Sequence, residues 1–285
     1  MTAPVLEARG LHFAYERGRA VLTGADLALP AGRRTAVLGP NGGGKTTLFR
    51  LLAGALAPDA GEVLLDGEPV RRTRAGRTAL RSQVQLVLQD PDDQLFAATV
   101  AQDVSFGPVN LGLDEPTVRT RVDAALAALD LTAVADRPPH LLSFGQKKRV
   151  AIAGAVAMAP RLLVLDEPTA GLDPAGVEAL LVTLAELEAG GTTPVLSTHD
   201  VDLAHRWADD VAVVVGGRVR TGSADAVLSD PDLLSAARLG PAWAPAVHRL
   251  LRAAGSDARP RSAAELHALL AGSTTSASAV NRAPG

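Results

Sequence analysis

Between two apolar flanks the chain reads VLGPNGGGKTTLFRLL (residues 37–52), and Gly39, Gly44, Lys45 and Thr46 fall in the spacing G-x-x-x-x-G-K-[ST]. Glycines let a backbone turn its N–H groups inward, which makes a seat for phosphate oxygens. A helix starting directly after the loop adds the favourable end of its dipole. Lys45 can reach terminal phosphates, and Thr46 can offer a hydroxyl to Mg²⁺. Pro40, Asn41, Gly42, Gly43 and Thr47 complete the candidate phosphate contacts, with Gly43 giving backbone only. Glycine clusters also mark plain turns, but this one sits between an expected strand and an expected helix, the context the pattern requires.

A nucleotide held this way needs a second anchor for its metal. LLVLDEP (162–168) supplies one, because Asp166 ends a short apolar run of the kind that forms a strand buried on both faces. Glu167 follows it directly and is the candidate for polarising an attacking water.

With both motifs in hand the chain resembles an ABC-type ATPase. LLSFGQKKR (141–149) is similar to the signature motif of that family, with Phe144 where glycine is commonest, a departure familiar in cobalt, nickel and vitamin importers. The resemblance implies that Ser143, Gly145 and Gln146 contact a nucleotide held by an opposite subunit. It also implies a metal and relay role for Gln89, an interface acid at Asp173 within AGLD (170–173), and a switch histidine at His199. Tyr15, the single tyrosine, matches the aromatic that stacks on adenine; a strand tyrosine packed in the core is the other reading. The catalytic set is then Glu167, His199, Lys45 and Gln89, with Thr46, Gln89 and Asp166 on Mg²⁺ and ATP as the nucleotide. The resemblance covers roughly residues 5–222.

QDPDDQLFAATVAQDVSFGPVNLGL (89–113) resembles the same region of energy-coupling-factor and cobalt-type ATPases. That implies a homodimer, or a heterodimer with a paralogous ATPase, on the cytoplasmic face of the cell membrane. Its partners would be a transmembrane coupling subunit and a solute-binding membrane subunit, importing cobalt or nickel ions or a vitamin. Asp93 to Phe96 would receive a helix of the coupling subunit, although Phe96 could instead pack into the core. An export-type transporter subunit is the main alternative. A soluble ribosome-associated ABC protein joins two such domains where this chain has one, and a chromosome- or repair-type ATPase needs a coiled coil that is missing here.

The elements that must position these groups alternate between strand and helix. The expected fold is α/β, a P-loop NTPase of ABC type with an N-terminal antiparallel β subdomain. It carries a helical insertion at about 92–158 and a small C-terminal helical extension at 223–272, followed by a disordered tail at 273–285. Strands are expected near 5–15, 25–30, 34–39, 61–67 and 84–89, and the basic stretch 71–80 reads as a solvated linker. Arg249, Arg252 and Arg259 read as facing solvent.

Composition sets the limits. The 285 residues are 47% hydrophobic but only 3% aromatic, so aliphatic packing builds the core. The absence of cysteine rules out disulfides and thiolate metal sites. A net charge of −3 gives no electrostatic case for nucleic acid. MTAPVLEARG lacks the features of a signal peptide, and no apolar run approaches the roughly 20 residues that span a bilayer.

Overall fold

A computed structural model describes residues 4–15 and 18–279, with backbone alone from 272 onward. The chain begins with β1 (Pro4–Ala14), β2 (Ala20–Pro30), β3 (Thr35–Leu38), α1 (Lys45–Leu52), β4 (Ala60–Leu65) and β5 (Glu68–Pro69). Then come α2 (Arg74–Gln83), β6 (Val84–Val87), and the helical insertion α3 (Val100–Asn110), α4 (Glu115–Ala128) and α5 (Phe144–Val156). The second half runs β7 (Leu162–Leu165), α6 (Pro174–Ala189), β8 (Thr193–Ser197), α7 (Val201–Trp207), β9 (Asp210–Val215) and β10 (Arg218–Ser223). Four helices close it: α8 (Ala224–Leu228), α9 (Pro231–Ala236), α10 (Trp243–Ala253) and α11 (Ala263–Ala279).

Two sheets result. The first is antiparallel, in the order β2-β1-β4-β5; the second runs β10-β9-β3-β8-β7-β6, parallel except for the edge strand β10. The apolar strands of the second sheet are buried on both faces, and their residues sort by period two. Leu163 and Leu165 of β7 face the helical layer, whereas Leu162 and Val164 face the first sheet. Strand β7 lies between β8 and the edge strand β6. Helix α1 is clamped between the sheets by Leu48, Phe49, Leu51 and Leu52, all essentially buried. The lysine at its first turn is therefore held on a rigid element. This is the α/β architecture that the resemblance implied.

Some expectations differ from the structure. Residues 74–80 form the first part of α2 rather than a linker: the Thr73 hydroxyl caps the Gly76 N–H, and Leu80 is buried beneath the arginines. Helix α11 continues to Ala279, past the expected start of the tail, and residues 280–285 lie outside the described residues. Arg259 pairs with Asp225 at 3.1 Å, so it does not simply face solvent.

Candidate active site

The carboxyl ends of four neighbouring parallel strands, β3, β8, β7 and β6, all open on one side of the sheet. This is where open α/β sheets hold ligands. The loop 40–44 and the start of α1 follow β3, His199 follows β8, Asp166 and Glu167 follow β7, and Gln89 follows β6. Together with Tyr15 from the end of β1, they line one cavity of about 520 Å³.

Gly39 and Gly44 need to be glycine. Gly39 has φ 152°, and a Cβ there would stand 2.7 Å from the Val214 carbonyl oxygen; Gly44 has φ 106° and a Cβ would crowd Val21 at 3.1 Å. Lys45, buried at the start of α1, donates to the Gly39 carbonyl at 2.9 Å. Its ammonium also lies 3.2 Å from Glu167 Oε1, both side chains being under a tenth exposed. That carboxylate oxygen has no hydrogen-bond partner of its own, so the contact is one of charge.

The Thr46 hydroxyl donates to Asp166 Oδ2 at 2.5 Å. The Ser197 hydroxyl donates to the other oxygen, Oδ1, at 2.6 Å and accepts the Glu167 N–H at 2.8 Å. Ser197 thus fixes the two neighbouring acids at once. Its only trace in the sequence is a small polar residue ending a buried strand, which the sequence reading passed over. His199 Nδ1 is 3.1 Å from Glu167 Oε2, with its side chain about two-thirds exposed to the cavity mouth. Tyr15 is 54% exposed, which sets aside the core reading. Its ring meets Phe13 edge-on at 5.0 Å, and its hydroxyl lies 3.2 Å from Thr47 Oγ1.

Ser143, Gly145 and Gln146 are not brought to this cavity. They line a separate one of about 570 Å³, with Leu172, Asp173 and Gly176. Ser143 caps α5 reciprocally: its hydroxyl accepts the Gln146 N–H, and Gln146 Oε1 accepts the Ser143 N–H at 3.0 Å. That leaves an ordered helix N-terminus facing outward, a suitable end for an anion from another molecule.

Outside the catalytic end, Phe96 is 65% exposed and stacks edge-on with Phe106 at 4.7 Å. Phe96 is therefore not a core residue. The loop carrying it is fixed by Asp103, whose carboxylate accepts the Phe96 and Ala97 N–H groups at 3.1 and 2.8 Å. Burial pushes the Asp103 carboxyl up despite those two bonds. Val109 is exposed as well, and no helix among the described residues is long and apolar enough to cross a membrane.

The sequence pattern of the family described as ABC transporter matches residues 22–170. The cobalt import ATP-binding protein CbiO of Rhodobacter capsulatus is 55% identical over 84% of this chain and 85% of its own length. The energy-coupling factor transporter ATP-binding protein EcfA of Methanocaldococcus jannaschii is 46% identical over 82% of this chain and 85% of its own. Among solved structures, cbiO1 of Clostridium perfringens, part of the ABC transporter complex cbiONQ, superposes with a TM-score of 0.73 at 42% identity. It covers 88% of this chain and 99% of its own length.

Proposed function

This chain belongs to the ABC transporter family, among the ATP-binding subunits of the cobalt and energy-coupling-factor type, and from that membership we propose how its own residues power import. The chain is an ATP-hydrolysing subunit of such an import system. The observation that carries the residue assignments is the convergence of Lys45, Thr46, Asp166, Glu167 and His199 at the ends of adjacent strands.

The glycine-loop amides and Lys45 hold the nucleotide phosphates, and Tyr15 offers its exposed face to the base. The metal-binding set is Thr46, Asp166 and Gln89. These oxygen donors suit Mg²⁺, which prefers few protein oxygens and completes its shell with phosphate and water. Bound there, Mg²⁺ supplies charge neutralisation to the phosphates.

Glu167 orients the attacking water and accepts its proton, with His199 beside its Oε2 to steady the carboxylate and reach toward the terminal phosphate. Binding of ATP displaces Lys45 from its ground-state partner toward the phosphates, which frees the Glu167 oxygen for water. The outward-facing Ser143, Gly145 and Gln146 contact the nucleotide of a second subunit, so two chains close head-to-tail on two ATP molecules. All elements are present in one chain, which a homodimer can use; a paralogous ATPase is the other partner.

The subunit docks peripherally on the cytoplasmic face of the membrane. Phe96, Phe106 and Val109 form the apolar edge for a transmembrane coupling subunit, which in turn works with a solute-binding membrane subunit. Phe96→Ala is expected to cost about 2 kcal/mol of that association, on the order of thirtyfold, as an exposed aromatic anchor would. Basal ATPase of the isolated chain stays at the wild-type value. Titration of the purified coupling subunit against both proteins checks it, and equal affinities would rule out this docking edge.

The proposed solute is cobalt, on the strength of the cobalt-import relative, or nickel, from the resemblance of the signature region to cobalt and nickel importers. A vitamin is the second reading, since no residue of an ATP-binding subunit contacts the transported solute. Uptake of labelled cobalt, nickel, biotin and riboflavin by cells lacking this chain decides between them. Loss of metal uptake, restored by wild type and not by Glu167→Gln, supports the first reading. Unchanged metal uptake with loss of vitamin uptake supports the second.

A further inference from the structure

The run GQKKR places two adjacent lysines in the first turns of α5, and the structure sends them to different partners. Lys147 reaches an exposed acid, Asp92, at 2.7 Å. Lys148 is buried, and its ammonium donates to three backbone carbonyls: Glu167 at 3.2 Å, Pro168 at 2.9 Å and Ala170 at 2.6 Å. All three belong to the turn that leaves β7 and carries the catalytic acid. An ammonium has three donors, and here each finds a carbonyl on the same short turn.

That turn needs holding. Glu167 has φ 46°, in the left-handed region that a residue with a Cβ occupies only when its surroundings impose it. Ser197 takes its N–H, and Lys148 takes its C=O, so the peptide groups on both sides of the Glu167 Cα are fixed. Phe144 closes the assembly. Its ring lies 5.3 Å from the Lys148 ammonium, and its edge comes within 2.8 Å of where a Cβ on Gly171 would stand. Gly171, at φ 76°, is thus the residue that leaves room for a phenylalanine in this signature.

We infer that Lys148 is a positioning residue for hydrolysis: it ties the start of the signature helix to the Glu167 turn, so that the seating of α5 sets the aim of the catalytic carboxylate. The inference rests on the assignment of Glu167 as the water-orienting group. It gives α5 two ends of one lever. Its first residues face another subunit's nucleotide, while Lys148 holds the carboxylate that acts on this subunit's own. A misplacement of the carboxylate by an ångström lowers turnover without touching the phosphate seat.

The ammonium is also electrostatically poised. Burial pulls Lys148 down to about 8, against the opposing pull of Glu167 and Asp90, the acids that face it. Above that pH the amine is neutral and keeps two donors for three carbonyls.

The test compares Lys148→Met, which keeps the length and loses the donors, with Lys148→Arg, which keeps the charge, and runs Glu167→Gln beside them. The expected result is a kcat at least about tenfold lower for the methionine variant, with KM and ATP affinity within about twofold and most of the rate returned by arginine. A methionine variant with wild-type kcat, while Glu167→Gln is inactive, overturns the role of Lys148 and leaves that of Glu167 standing. An active Glu167→Gln instead removes the premise. A methionine variant that loses ATP affinity in proportion to kcat would show a merely structural role and also overturn the inference. If the methionine variant does not fold, pH profiles of wild type and Lys148→Arg carry the test. Wild-type kcat should fall as pH rises through about 8 while the arginine variant holds its rate, and parallel profiles contradict the assignment.

Discussion

Glu167→Gln should reduce kcat by about 10² to 10⁴, the range contributed by a positioned proton acceptor, while leaving ATP bound. The amide keeps the size of the carboxylate and its seat between Lys45 and His199, both about 3 Å away, at 3.2 and 3.1 Å. It cannot accept the proton of the attacking water. It also removes a negative charge beside the phosphate seat, so ATP affinity holds or rises. Two chains closed on unhydrolysed ATP then have no route to reopening, and the variant should accumulate as a nucleotide-bound dimer. Turnover by single-cycle hydrolysis, with size-exclusion chromatography in ATP and Mg²⁺, checks both parts. Wild-type turnover would remove Glu167 from its proposed role, and an ATP-independent monomer would remove the trapped dimer.

Lys45→Ala should weaken ATP binding by on the order of a hundredfold, because a charge-assisted hydrogen bond to phosphate contributes up to about 3 kcal/mol. A second effect acts in the same direction. The variant removes the cation beside Glu167 Oε1 and leaves that buried oxygen facing the phosphate seat, where it repels the ligand, with His199 as the remaining partner of the carboxylate. Loss of one partner of a buried ion pair also destabilises the apo protein, by less than the roughly 3 to 5 kcal/mol of a fully uncompensated charge because His199 remains beside the carboxylate. The double variant Lys45→Ala/Glu167→Gln should therefore recover part of the stability and none of the turnover. Calorimetric titration with a non-hydrolysable ATP analogue gives the affinity, and a dissociation constant equal to wild type would contradict the placement of Lys45.

Much of this site was legible because its groups are bound to local sequence. The glycine loop is contiguous, and its spacing carries its chemistry. Asp166 and Glu167 stand at the end of an apolar run that only a strand buried on both faces explains. The residues that were missed act through tertiary contact. Ser197 and Lys148 hold backbone and carboxylate groups roughly 20 to 30 residues away in the chain, at Asp166 and along the turn from Glu167. Lys148 stands in a basic run, where charge alone suggests a solvated side chain and nothing local announces burial.

Exposure was equally out of reach from pattern alone. Tyr15 and Phe96 each admitted a core reading, and their solvent exposure depends on how β1 ends and on the loop that Asp103 holds. The arginines of α2 give it the polar pattern of a linker and mask its single buried contact at Leu80. Its N-cap, Thr73, was the local signal that outweighed them.

A role in import requires that this ATPase work on a membrane partner. The direct measurement is purification of the chain from its own cells in mild detergent, with mass spectrometry of what accompanies it in stoichiometric amount. A transmembrane coupling subunit together with a solute-binding membrane subunit is the predicted result, with less of both recovered when Phe96 is replaced by alanine. Recovery of the chain with a ribosome or nucleic acid, or with no membrane protein at all, would leave the ATPase in place and contradict its role in import.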